Sequence, residues 1–181
     1  ELDAALEDVG GGVAVSGLVS PWVDGKWTAF GTSITAGGVY TAPIATLLDC
    51  TLVNMGVSGA TLGTSGSGGG GIYTAIQSVP TDSDLITVEC GIKDLRLDVT
   101  LGTMASRTTA TFYGALYNAL GDLLDACPDA DIFFLTPFGN VDAYVPANWE
   151  IANTNGNFLY QYQRAIHEMC ALFSVPVIKV G

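Results

Sequence analysis

The chain has 181 residues, with 18 Asp and Glu against 6 Lys and Arg, and a formal net charge of −12. That length suits one domain able to bury its own core. The acidity excludes a phosphate-backbone binder, which needs clustered Lys and Arg, and sets the chain against an anionic membrane surface. Only 13% of the residues are charged, against about 25% in an average soluble domain, which points to surface buried in an assembly.

Residues 1–25 read as an arm or linker. Leu2, Ala5 and Leu6 form one short helical stripe, Gly10-Gly11-Gly12 breaks it, and Gly17, Pro21 and Gly25 punctuate the remainder of the segment. The opening Glu1-Leu2-Asp3-Ala4 has no initiator Met and no basic region leading into an apolar one, so it does not read as a signal peptide. Processing, or a fragment of a longer chain, is the expectation.

From Lys26 the pattern becomes regular. Trp27 to Phe30 predicts a first strand, Ala42 to Leu48 a helix with Pro43 in its first turn, and Thr51 to Met55 a second strand. The Gly/Ser-rich stretch from Gly63 to Gly71 reads as loop. Gly66 to Gly71 is not a phosphate loop, because no G-K-[ST] comes after it. Ile72 to Val79 predicts a short helix, and Leu85 to Cys90 an apolar third strand of the buried parallel kind. A loop from Gly91 to about Thr108 should lead to a long helix. Its apolar stripe is Phe112, Ala115, Leu116, Ala119, Leu120, Leu123 and Leu124. Ile132 to Leu135 is the fourth strand, Thr136 to Thr154 a polar loop, Phe158 to Phe173 the last helix and Val175 to Val180 the fifth strand. Alternating strands and helices imply parallel pairing with right-handed crossovers, hence a three-layer α/β domain with its site at the carboxyl ends of the strands.

The four cysteines, Cys50, Cys90, Cys127 and Cys170, form no C-x-x-C pair and no cluster with histidine, so they read as small hydrophobes and no metal site is expected. Asp82, Asp84, Asp94 and Asp98 flank a strand and read as solvated caps, without the spacing of a calcium loop.

The strand ends carry the chemistry. A serine in the tight turn after the first strand can aim its hydroxyl at an acyl group, and glycine-rich turns supply the backbone N–H groups of an oxyanion pocket. Phe30-Gly31-Thr32-Ser33-Ile34-Thr35 resembles the first block, G-D-S-[LI]-[TS], of the SGNH (GDSL-type) hydrolases. Asn54-Met55-Gly56-Val57-Ser58-Gly59-Ala60-Thr61 resembles their second block, N-x-G-x-S-G-x-T, and Glu89-Cys90-Gly91-Ile92-Lys93-Asp94-Leu95 their third, usually G-x-N-D. The similarity runs over residues 26–181. It implies a flavodoxin-like α/β/α sandwich with a five-stranded, mainly parallel sheet, working as a serine ester hydrolase without a cofactor.

By that resemblance Ser33 is the nucleophile, Gly59 donates its backbone N–H to the oxyanion, and Lys93 stands where the family places an amide-donating Asn. Thr32 replaces the usual Asp of the first block. Thr32 and Asp94, with Phe138 and Trp149 of the polar loop, are the candidate substrate-binding residues; Tyr144 is a further aromatic of that loop able to stack on sugar rings. The family's base is a His in a D-x-x-H block beyond the fifth strand, and no such block occurs here. The single histidine, His167, falls within the last helix and reads as a surface residue. Without a base a serine hydroxyl stays protonated, so the chain by itself is expected to be nearly inert.

Two functions therefore stand side by side. One is a serine esterase or deacetylase acting on a small acyl ester or an acylated carbohydrate. The other is an inactive binding or structural module that kept the fold. A stalk-like start before such a domain resembles phage tail-fibre and other surface-directed proteins, which implies an extracellular or virion-associated place and a homo-oligomer joined through the arm.

Overall fold

The computed structural model describes residues 20–137 and 151–180. The first strand, β1 (Lys26–Gly31), runs into a one-turn helix, α1 (Ser33–Ala36), and then α2 (Thr41–Leu48). The elements β2 (Thr51–Gly56), α3 (Gly71–Ile76) and β3 (Leu85–Glu89) come next. The second half comprises α4 (Ile92–Arg96), α5 (Phe112–Ala126), β4 (Asp131–Leu135), α6 (Leu159–Leu172) and β5 (Val177–Ile178). The five strands form one sheet in the order β2-β1-β3-β4-β5, every pair parallel. Strand order reverses at β1, which places the crevice of such a sheet at the ends of β1 and its two neighbours.

Period-two alternation sorts the strand side chains between two faces. Phe30, Ile86, Val88, Ile132 and Phe134 point into the larger core, where Leu116, Leu120 and Leu123 of α5 and Ile166 and Met169 of α6 meet them. The apolar stripe predicted for α5 is buried apart from the half-buried Leu124. Trp27, Ala29 and Leu85 point the other way, into a smaller cluster with Ala45 of α2. The Trp27 indole donates to the Thr87 hydroxyl at 2.9 Å across the two strands.

Three departures from the sequence expectation have local causes. The segment read as loop after β3 contains α4, a helix of five residues that is too short to show periodicity. The fifth strand is two residues rather than six, because Pro176 has no N–H for the ladder and only Val177 and Ile178 pair with β4. The sequence places the end of the arm at Gly25, yet Trp22 and Asp24 already pack on the domain. The Trp22 indole donates to Asp131 at 2.9 Å, its ring meets Phe133 edge-on at 6.2 Å, and the Asp24 N–H donates to the Asp49 carbonyl at 2.8 Å. Residues 1–19, which hold the rest of that arm, lie outside the described residues. Cys90, Cys127 and Cys170 are buried and Cys50 is half-buried; all four are free thiols.

Candidate active site

Ser33 is the first residue of α1, two positions past the end of β1, and is solvent-exposed. β1 lies between β2 and β3, and neighbouring strands are about 4.8 Å apart. The loop after β2, with Gly59, therefore flanks the serine on one side, and the start of α4, with Lys93, on the other. Gly59 is exposed at φ +77°, and a Cβ there would meet nothing within 4 Å. What demands glycine is the backbone conformation, which leaves open space above the loop. Lys93 is half-buried in the first turn of α4. The three residues proposed for the chemistry thus belong to three adjacent strand ends.

The serine turn is fixed from below by a residue to which the sequence reading gives no role. Glu89, the last residue of β3, is 4% exposed, and its Oε2 accepts from the Thr32 N–H at 2.8 Å and the Thr32 hydroxyl at 2.7 Å. The Thr35 hydroxyl donates to the same oxygen at 3.4 Å and lies 2.9 Å from the Tyr40 hydroxyl. Thr32 also caps α1, its Oγ1 accepting from the Ile34 N–H at 3.4 Å. Carboxylate oxygens accept several hydrogen bonds at once, and charge-assisted bonds are the strong ones. Gly31 makes room for this cluster: a Cβ there would stand 2.1 Å from Thr35 Oγ1 and 2.8 Å from Glu89 Oε2. Burial, opposed by the bond to Thr35, pushes the Tyr40 phenol up to about 12.

A second brace joins the other two loops. Asp94 is fully buried; Oδ1 accepts from Leu62 N at 2.9 Å and Gly63 N at 2.8 Å, and Oδ2 from Gly91 N at 3.1 Å. Burial pushes its carboxyl up to about 7, against the pull of those N–H donors. Asn54 does the same for β2: its amide donates to the Thr35 carbonyl at 2.7 Å, and its Oδ1 accepts from Gly56 N at 3.0 Å. Gly56 lies so close to α1 that a Cβ would come within 2.3 Å of the Ala36 nitrogen.

These contacts correct two expectations. Thr32 and Asp94 do not face substrate: Thr32 is 1% exposed and Asp94 0%, and their polar atoms are taken up by Glu89 and by backbone N–H groups. Asp94 is likewise no solvated cap. Phe138, Tyr144 and Trp149 lie outside the described residues. His167 is exposed on α6, as expected of a surface residue. No side chain among the described residues hydrogen-bonds the Ser33 hydroxyl. Sequence reasoning gives Glu89 no role, although it opens the segment that resembles the third block, because it meets Thr32 only through strand pairing. The one available signal is a carboxylate inside an otherwise apolar strand.

A parallel three-layer α/β domain with an exposed serine at the reversal of strand order defines a class of hydrolase scaffolds. The chain belongs to the GDSL-like lipase/acylhydrolase family, whose model matches residues 29–181. No curated protein matches it. It is similar to a solved protein from Lactobacillus plantarum at 28% identity and TM-score 0.76, over 87% of this chain and 77% of that one. A structure described as a possible lipase from Chitinophaga pinensis shares the fold at 21% identity and TM-score 0.71, over 85% of this chain and 66% of that one. The acetyl xylan esterase AlAXEase shares it at 16% identity and TM-score 0.58, over 85% of this chain and 76% of that one.

Proposed function

We propose that this chain carries the nucleophile and the oxyanion pocket of a serine ester hydrolase that removes small acyl groups, with acylated carbohydrate as the substrate class. The observation that carries this reading is Ser33, exposed at the start of α1 and flanked by Gly59 and Lys93 at the ends of β2 and β3. The Ser33 oxygen would attack the ester carbonyl carbon while its proton passes to a base. The backbone N–H groups of Ser33 and Gly59 and the Lys93 ammonium would hold the oxyanion. Collapse breaks the bond to the alcohol, which leaves with the proton, and water then hydrolyses the acyl-serine. An ammonium is longer and more hydrated than the amide of an Asn, so Lys93 is a less directional donor. The preference for carbohydrate leans on the fold shared with an acetyl xylan esterase.

The resemblance puts the base in a D-x-x-H block after β5. His167, the sole histidine, lies on α6 in the helical layer behind the sheet. That observation favours the second reading, a binding module that holds ligand without turnover, for residues 1–181 taken alone.

The test is hydrolysis of p-nitrophenyl acetate and of acetylated xylan by the natural polypeptide that contains this domain. Ser33→Ala should lower turnover by about 10³-fold or more, and unchanged turnover would sink the assignment. Lys93→Asn should raise the rate if position 93 points at the oxyanion. Acetylated xylan bound without any turnover in the natural polypeptide would establish the binding module instead.

A further inference from the structure

At position 32 the first block departs from its usual form, and Glu89 gives the reason. β3 is buried along its whole length, and Glu89 is its one charged residue. A buried charge is costly unless it is paired or hydrogen-bonded, and no ion pair among the described residues includes Glu89. The serine turn supplies the bonds instead. Oε2 accepts from the Thr32 N–H at 2.8 Å, the Thr32 hydroxyl at 2.7 Å and the Thr35 hydroxyl at 3.4 Å. The Thr32 carbonyl accepts from Ala36 N at 2.9 Å, and Thr32 Oγ1 from Ile34 N at 3.4 Å. Every polar group of the residue before Ser33 is therefore engaged, and two of its bonds end on one carboxylate oxygen. Sheet register brings this about. Phe30 of β1 pairs with Val88 of β3, so the serine turn and Glu89, just beyond them, come together.

We propose that Glu89 is a positioning residue for Ser33, and that the serine turn takes one carboxylate, at position 89 or at position 32 but not at both. The inference rests on Ser33 being the nucleophile. Thr32 Oγ1 stands 2.7 Å from Glu89 Oε2. A carboxylate at position 32 would set two carboxylate oxygens against each other, and like charges that close do not both ionise. A hydroxyl at the same place is a donor, and its bond to a charged acceptor is of the stronger kind. Thr32 is thus the complement of a carboxylate on β3, which accounts for the departure from the usual Asp. No hydrogen bond among the described residues joins Glu89 to Ser33, and in this role Glu89 moves no proton. It acts through the Thr32 peptide, which sets the direction of Ser33 at the start of α1. A displacement of about 1 Å in a reacting group can cost about 10²-fold in rate, so the effect falls on kcat rather than KM.

The test is a double-mutant cycle in the natural polypeptide, with hydrolysis of p-nitrophenyl acetate and urea midpoints as separate readouts. Glu89→Gln and Thr32→Asp should each lower kcat about tenfold or more, with KM little changed. Combined, they should return kcat to within about threefold of wild type, because the amide introduced at position 89 can donate to the carboxylate introduced at position 32. The midpoint of Thr32→Asp should fall further behind wild type as pH rises from about 5 to about 8, and the double variant should lack that slope. Two carboxylates sharing a site keep a proton that the unfolded chain has released, so the stability is present at low pH and lost as pH rises. Glu89 acts on two titratable neighbours, the Tyr40 phenol, pushed up to about 12 by burial, and the Cys90 thiol, also pushed up by burial. The adjoining positions Gly31 and Leu135 carry no titratable group. Phenol and thiol both stay protonated over that range, so neither makes the slope. Losses that simply add in the double variant would overturn the proposal, as would Ser33-dependent turnover that Glu89→Gln leaves untouched. A Thr32→Asp midpoint parallel to wild type at every pH would overturn it without reference to turnover. Full turnover in Ser33→Ala, or none in the wild type, would instead remove the nucleophile and this proposal with it. Should Thr32→Asp fail to fold, Thr32→Val removes the hydroxyl alone. Its loss of kcat should not add to that of Glu89→Gln, and additive losses would overturn the proposal in the same way.

Discussion

The face of the sheet under α5 and α6 and the face over β3, β4 and β5 are built from the same strands, yet they hold very different amounts of structure. On the covered face Leu116, Leu120, Ile166 and Met169 are fully buried against Ile86, Val88 and Phe134. On the other face, among the described residues, Phe133 and Leu135 are half-buried and Ile178 is exposed. Strand residues alternate sides, so neighbouring positions such as Phe134 and Leu135 differ in environment by one step along the chain. Stability should therefore be concentrated on one side of the sheet.

The largest effect should come from Leu116→Ala. It removes a fully buried side chain from the covered face and should cost about 2–5 kcal/mol, read from the urea midpoint. A cost below about 1 kcal/mol would mean that the covered face is not the core. Glu89→Ala comes next. Glu89 reaches from the face opposite α5 and α6 to the serine turn, and its loss leaves the buried Thr32 N–H and hydroxyl without their acceptor, at about 1–3 kcal/mol. Glu89→Gln keeps one oxygen and should recover part of that loss; equal loss from both variants would show that the charge matters more than the acceptor.

Asp94 gives a pH signature. Its carboxyl is raised by burial to about 7 in the folded protein, above its ordinary value near 4. Between those limits the folded state keeps a proton that the unfolded chain has released. The contribution to stability is therefore complete below about pH 4, falls as pH rises, and is gone above about pH 7. Asp94→Asn should flatten that slope in urea midpoints taken from pH 4 to 8, and an unchanged slope would refute the assignment. The smallest effect belongs to the face opposite α5 and α6. Leu135→Ala should cost less than about 1 kcal/mol in residues 1–181, because its side chain is only partly withdrawn from water. A loss as large as that of Leu116→Ala would erase the contrast between the faces.

Much of the fold and of the candidate site is legible in the residues. Apolar runs bounded by glycine and proline mark the first four strands to within a residue or two, and the three- and four-residue spacing of α5 marks its buried stripe. Ser33, Gly59 and Lys93 can be assigned to strand ends because each stands shortly after an apolar run. These signals are local, since periodicity and turn chemistry act over a few residues and survive without knowledge of the fold.

Other features require the tertiary structure. Glu89 meets Thr32 across 57 positions of sequence, a pairing set by the parallel register of β1 and β3. Asp94 reads as a solvated acid in the sequence and is a fully buried brace in the fold, because Leu62 and Gly63 come to it from a loop some thirty residues earlier. Trp22 reads as linker, but its ring lies on Phe133. Sequence alone thus determines which segments become strands and helices and which of their residues are apolar. Only the assembled sheet decides which polar groups bury together and which strand positions lie under α5 and α6, because both depend on long-range register and on which helices return to cover the strands.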